Sequence, residues 1–315
     1  MQVVFITHNE LGQVCIEQLS KLGADVQAVY TKPKSSDISD QVDLKPTTET
    51  YDIPLDRVES VNTGAVKSEI KEIEPELLFV IGWSQLVDSE ILCLSSVASL
   101  GMHPAPLPRG RGRAPLAWSI IKGLDQTALS FFHLTEEPDA GDIVGQESIS
   151  IKKEDDASTL YNKVIDAGKT LIQQYYPEFE SGNIPRKPQD DSKATWWPKR
   201  EPHHGLINWN KTSTEVYDWI RGQTRPYPGA FSYIGDTKVT VWSARPSEKE
   251  YICAAPGKII QVREDSLEIA TWESTIEITE VQVQGDDPIQ ASELVKKYPF
   301  EIGDTFVNAR DKIQR

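Results

Sequence analysis

Cysteine is scarce in this chain: three in 315 residues, Cys15, Cys93 and Cys253. They form no Cys-x-x-Cys, and no Cys/His spacing resembles a zinc site. A disulfide framework and a structural metal are thereby excluded as the source of stability. A chain of this length can bury an ordinary hydrophobic core, and the three thiols are expected to be reduced core residues of a cytoplasmic protein. Positive charge is short as well. Lys and Arg number 33 against 48 Asp and Glu, for a net charge of −15 and a pI near 4.9. Such a balance excludes wholesale electrostatic capture of nucleic acid or an anionic membrane, while leaving room for one basic pocket. No run approaches the roughly 18 apolar residues of a membrane span. The opening Met1–Thr7 has no basic n-region or cleavage site and reads as a strand rather than a signal peptide. Low-complexity tracts and internal repeats are also lacking.

What is present is α/β alternation. Val3–Thr7 is a continuous apolar run typical of a strand buried on both faces. Leu11–Leu22 carries apolar residues at helical spacing and Gly23 stops it. Val26–Tyr30 is the next strand, a βαβ opening that implies a parallel sheet. The polar stretch 33–50 reads as a loop. Helices are expected at Thr63–Ile73, Ala114–Lys122 and Ala157–Tyr176, and strands at Leu77–Gly82, Val97–His103, Ala128–Leu134 and Ile143–Ile151. Residues 183–205 are Pro-rich, with Trp196 and Trp197 suggesting a linker packed on a surface. After a helix at Ser213–Arg221, short evenly spaced β runs at Ala230–Ile234, Lys238–Ala244, Gly257–Val262, Leu267–Ala270 and Thr275–Val283 predict a small β-barrel. The organisation is thus an open parallel sheet over 1–182, a linker over 183–205 and a barrel over 206–315. The turn after the first strand, Thr7-His-Asn-Glu-Leu-Gly12, lacks Gly-x-Gly-x-x-Gly, so NAD is not expected.

Chemistry concentrates in two segments. Leu100–Trp118 packs four prolines and three arginines into a stiff loop just after a buried strand, where open sheets place active sites. His103 ends that strand. Glu136–Ile143, an acidic Pro/Gly turn, follows another strand and could bring a carboxylate to His103, orienting it as a general base. A structural histidine and a plain surface turn are the bland alternatives, and pattern alone leaves both open.

Together these residues are recognisable. Gly101-Met-His103, Leu107-Pro-Arg-Gly-Arg-Gly112 and Asp139-Ala-Gly141 resemble the strand ending, loop and Asp-x-Gly turn of the formyltransferase family that uses 10-formyltetrahydrofolate. Arg111–Trp118, Asp139–Gln146, Trp209 and Arg221–Phe231 look most like the domain that formylates UDP-4-amino-4-deoxy-L-arabinose. The resemblance implies a Rossmann-like first domain, an OB-like second domain, 10-formyltetrahydrofolate as cosubstrate and no metal. It implies that His103 relays the proton and Asp139 orients it. It places the pterin against Trp83, Gln85 and Leu86 on one side and Glu137 and Asp139 on the other, and the acceptor against His8, Arg111 and Arg113. One departure stands out: the family's asparagine two residues before the histidine is Gly101 here. One oxyanion donor is worth about 10²–10³ in rate. A substitute donor (Ser84, Gln85 or a water), altered chemistry with another acceptor or hydrolysis, and binding without turnover all remain open.

Two acceptors dominate the family, methionyl-tRNA and amino sugars on nucleotides. A tRNA enzyme needs a basic face. Residues 206–315 hold 13 Lys and Arg against 17 Asp and Glu, and the region before them is more acidic still. An amino sugar on a nucleotide is therefore the expected amine, with Arg109, Arg111, Arg113 and Arg200 as cations for its pyrophosphate. tRNA is the alternative. Neither a membrane nor other nucleic acid is expected as a partner, and the oligomeric state, a homodimer included, is open.

Overall fold

The computed structural model describes residues 1–35, 40–247 and 254–307. The chain divides into two compact units. The first holds Met1–Pro115, Gln126–Ser150 and Tyr161–Lys199; the second holds Leu116–Asp125, Ile151–Leu160 and the chain from Arg200 onward. Residues 183–199, read above as linker, therefore cluster with the first unit.

In the first unit a seven-stranded sheet runs in the order β3-β2-β1-β4-β5-β7-β8. Its strands are β1 (Gln2–Ile6), β2 (Asp25–Thr31), β3 (Leu55–Arg57), β4 (Leu77–Val80), β5 (Ala98–His103), β7 (Gln126–His133) and β8 (Ile143–Ser150). Two further short strands, β6 (Arg111–Gly112) and β9 (Trp196–Trp197), pair in parallel apart from it. Val3–Ile6 and Leu77–Phe79 are fully buried, as their unbroken apolar runs require. Helices α1 (Glu10–Lys21), α2 (Lys45–Thr50), α3 (Gly64–Ile73) and α4 (Ser89–Leu92) join the strands. Asn9 caps α1 by accepting from Gly12 N at 3.1 Å, and α1 buries Leu11, Cys15, Ile16 and Leu19 on one face. The turn that follows passes through Gly23 at φ +85°.

Several expectations change. The sheet is mostly parallel, as expected, but one strand is reversed: β7 runs antiparallel to both β5 and β8. Gln126–His133 is buried nearly throughout, and a continuous apolar strand carries no mark of its direction. The 33–50 loop contains α2, whose sequence Lys-Pro-Thr-Thr-Glu-Thr has no apolar stripe to signal a helix. Cys15 is buried as expected, but Cys93 is exposed, and Cys253 lies outside the described residues.

In the second unit, α5 (Pro115–Ile121) and the first turn of α6 (Ala157–Glu180) accompany α7 (Ser213–Arg221) and a β-sheet. Thr212 and Glu215 cap α7 reciprocally. The antiparallel sheet runs β10-β11-β14-β13-β12, with β15 beside β14. Its strands are β10 (Ala230–Ile234), β11 (Thr237–Pro246), β12 (Ile259–Val262), β13 (Leu267–Ala270), β14 (Thr275–Val283) and β15 (Ile289–Gln290), and α8 (Leu294–Lys297) follows them. The even spacing predicts a barrel; among the described residues the order has two ends, β10 and β12. Trp209, Val239, Val241, Ile276 and Ile278 fill the core, with the Trp209 Nε1–H donating to Ser232 Oγ at 3.2 Å.

Candidate active site

His103 closes β5 and is 7% exposed. Its Nε2 lies 2.8 Å from the Gly110 carbonyl oxygen. A carbonyl only accepts, so Nε2 carries the hydrogen and donates it. Nδ1 is then the nitrogen free to gain and lose a proton, and Asp139 Oδ1 stands 3.6 Å from it. The other oxygen, Oδ2, accepts from Gly112 N at 2.9 Å. The 110–112 backbone therefore holds both partners, one by its carbonyl and one by its amide.

Three anchors brace the loop that does this. Ser130 Oγ accepts from Leu107 N at 3.1 Å and donates to the Ala105 carbonyl at 2.6 Å. Gln146 Nε2 donates to the Leu107 carbonyl at 3.0 Å, and Gly110 N donates to Thr195 Oγ1 at 2.9 Å. Gly110 and Gly112 have φ of +76° and +104°, where L side chains are strained, so the curve that aims both groups requires glycine.

Because β7 is antiparallel, the loop after it starts beside Ser99, which accepts from Leu134 N at 2.8 Å, and must return toward His103. Asp139 makes this return at φ +57°. Gln189 fixes the turn, its Nε2 donating to the Asp139 and Gly141 carbonyls at 2.8 and 2.7 Å. Arg111 in turn fixes Gln189, donating to its Oε1 at 2.9 Å and to Asp191 Oδ1 at 2.6 Å. Sequence reasoning did not find Gln189, which lies 50 residues from Asp139 in a polar stretch with no distinguishing pattern.

The arginines expected at a pyrophosphate divide. Arg111 is buried and committed to the 189–191 turn, with Glu137 Oε1 at 3.8 Å. It is a brace. Arg200 belongs to the second unit, where its guanidinium stacks 4.8 Å from both Trp118 and Trp219 and bonds Gln223. Arg109 and Arg113 are exposed. Beyond the end of β4, Ser84, Gln85 and Leu86 are exposed, Leu86 at 71%. Trp83 is turned toward β1 and β2, its ring 5.5 Å from the His8 ring and 5.2 Å from Lys32 Nζ. His8 is 3% exposed, and burial holds its imidazole below the ordinary histidine range.

At Gly101 a Cβ would lie 2.7 Å from Leu134 Cδ2 and 3.1 Å from the Val80 carbonyl oxygen. The room that an asparagine would need is occupied by an apolar side chain packed on Leu107, Phe132 and Ile143. Among the described residues, neither Ser84 nor Gln85 bonds to His103, Gly101 or Asp139. No cluster of three or more metal-ligating side chains and no helix long and apolar enough to cross a membrane occurs among them either.

Residues 1–175 match the model of the formyl transferase family, and residues 199–299 match that of the formyl transferase C-terminal domain. Solved structures share the fold at low identity. HypX from Aquifex aeolicus in complex with tetrahydrofolic acid is 20% identical with a TM-score of 0.68, over 98% of this chain and 50% of its own. The chain thus spans about half the length of HypX. An N-formyltransferase from Helicobacter canadensis, in complex with folinic acid and dTDP-3-aminofucose, is 17% identical over 88% of this chain and 98% of its own, with a TM-score of 0.68. A methionyl-tRNA formyltransferase from Clostridium thermocellum is 19% identical over 87% of this chain and 100% of its own, with a TM-score of 0.58.

Proposed function

The chain belongs to the formyl transferase family, and on that premise we propose that it moves a formyl group from 10-formyltetrahydrofolate to the primary amine of a nucleotide-linked amino sugar. The observation that carries the reading is His103, held by the Gly110 carbonyl on one side with Asp139 beside the other nitrogen. The amine nitrogen attacks the formyl carbon, and a carbon–nitrogen bond forms. The bond from that carbon to N10 then breaks, and N10 must gain the proton that the attacking amine loses. His103 Nδ1 is placed to take that proton and return it, worth about 10²–10⁴ in rate. Asp139 balances the imidazolium while the proton is held.

Folate is assigned to the turn Glu136–Asp139 and the exposed residues Gln85 and Leu86. The acceptor's phosphates are assigned to Arg113 and Arg109 rather than to Arg111, which is already occupied. An OB-like second domain and a cytoplasmic location complete the reading; the latter suits the free thiol of buried Cys15. A methionyl-tRNA acceptor is disfavoured by the acidic balance. One observation favours a different class: Leu134 fills the place of the oxyanion donor, as in a folate binder that does not turn over. Incubation with 10-formyltetrahydrofolate, with and without UDP-4-amino-4-deoxy-L-arabinose, tests these together. Tetrahydrofolate released only with amine supports transfer, release without amine indicates a hydrolase, and binding without release indicates the binder.

A further inference from the structure

Among the described residues, two buried side-chain polar atoms on neighbouring rings have no hydrogen-bond partner: His8 Nδ1 and Trp83 Nε1. Their rings are 5.5 Å apart and tilted by 53°. An unpartnered buried polar group costs about as much as a lost hydrogen bond, so such a pair is normally satisfied or serves something. Their place in the fold identifies what they serve. Strands β2 and β3 are laid down on one side of β1 and β4 and β5 on the other, so the crevice beyond the ends of β1 and β4 is the topological switch point of the sheet. His8 follows β1 and Trp83 follows β4.

The sheet register ties this crevice to the reaction. Ile6 pairs with Val80, and Val80 pairs with Gly101. Two residues further along each strand come His8, Gly82 and His103, with His8 N donating to the Gly82 carbonyl at 3.3 Å. His8 and His103 thus occupy one row with a single chain between them, roughly 10 Å apart at two strand spacings. Lys32 and Asp40, both half-buried, flank the pair; Asn9 Nδ2 donates to Asp40 Oδ2 at 3.1 Å.

We propose that His8 and Trp83 form a hydroxyl-reading subsite for the acceptor, so that the amine formylated at His103 is one that carries ring hydroxyls. This rests on the transferase reading and deepens it. The indole N–H can only donate, and the neutral imidazole nitrogen beside it can accept. A hydroxyl does both, so a sugar satisfies two orphaned atoms that the apolar side chain of a methionyl acceptor would leave unpaired. A site built to hydrogen-bond a hydroxyl rejects the analogue that lacks it far more strongly than an apolar pocket rejects an added group. It also moves Trp83 from the pterin, where the family resemblance puts it, to the acceptor.

The test compares methyl 4-amino-4-deoxyarabinoside with cyclohexylamine, a cyclic amine without hydroxyls. One arm follows the His8 imidazole nitrogens by NMR as each amine is added to the full chain. The other measures kcat/KM for both amines in the parent, Trp83→Phe and His8→Phe. The amino sugar should shift His8 and cyclohexylamine should not. The parental preference for the amino sugar should fall about 10- to 100-fold in each variant. A His8 signal that ignores the amino sugar, or a preference that survives in Trp83→Phe with turnover intact, overturns the subsite and leaves the transferase reading standing. A His8 shift from the amino sugar, with no turnover of UDP-4-amino-4-deoxy-L-arabinose either, supports the subsite and overturns the transferase reading instead.

Discussion

Replacing Gly101 by asparagine tests whether position 101 faces the reacting carbonyl. A Cβ there meets Leu134 Cδ2 at 2.7 Å, Leu134 Cγ at 3.3 Å and the Val80 carbonyl oxygen at 3.1 Å. The first contact is the tip of a flexible side chain and can swing away. The last is backbone in β4, fixed by its pairing with β1 and β5. The rest of the amide would extend further into the volume that Leu134 fills. Gly101→Asn alone should therefore cost about 1–3 kcal/mol in stability through overpacking and lower the rate. Leu134→Ala removes the obstruction. Because Leu134 is only partly buried, its own cost should fall below the ~2–5 kcal/mol of a fully buried leucine.

With that room made, Gly101→Asn/Leu134→Ala should place an amide donor beside the formyl oxygen. It should exceed Leu134→Ala in kcat, by up to about 10²–10³. Tetrahydrofolate release at saturating 10-formyltetrahydrofolate and amine reads the rate, and thermal unfolding of all four proteins reads the strain. The reasoning is refuted if Gly101→Asn unfolds at the parental temperature, since the packing against Leu134 would then not exist. It is equally refuted if the double variant folds well yet is no faster than Leu134→Ala, since position 101 would then not face the reaction.

His103→Ala should retain the fold and lose about 10²–10⁴ in rate; near-parental turnover in the purified variant would remove His103 from the chemistry. Gln189→Ala should lower kcat and raise the KM for folate together, because the Asp139 turn it frees both stands beside His103 and is the turn assigned to folate; an unchanged kcat would count against this. Acceptor binding should weaken only shallowly with salt, as one or two phosphate contacts dictate; a steep log–log slope with initiator tRNA would overturn the sugar choice. Burial holds His133 below its ordinary 6.5, so the unfolded chain binds more protons below that pH and stability falls as pH drops through the window. His133→Gln should flatten the decline in melting temperature between pH 7 and 5, and an unchanged slope would show that His133 does not contribute to it.

How much of this was legible depends on what a linear pattern can encode. Ser213–Arg221, Ala230–Ile234, Leu267–Ala270 and Thr275–Val283 form with the boundaries that periodicity and turn residues give. Their signals, short apolar runs and the turn residues that bound them, are local. His103, Asp139 and the loop between them were legible because their residue types are unusual together. The direction of β7 was not, since a strand buried on both faces reads alike either way. The three arginines of the 109–113 loop also look alike in sequence. Only burial separates Arg111, spent on Gln189 and Asp191, from exposed Arg109 and Arg113. Leu134 is the sharpest case. In sequence it is one more apolar residue after a strand, and Gly101 reads as a missing asparagine. The structure joins the two, because a residue that leaves a hole and a residue 33 positions later that fills it are neighbours only once β7 pairs with β5. Gly101 and Leu134 thus form one packing unit, and a donor introduced at 101 requires room made at 134.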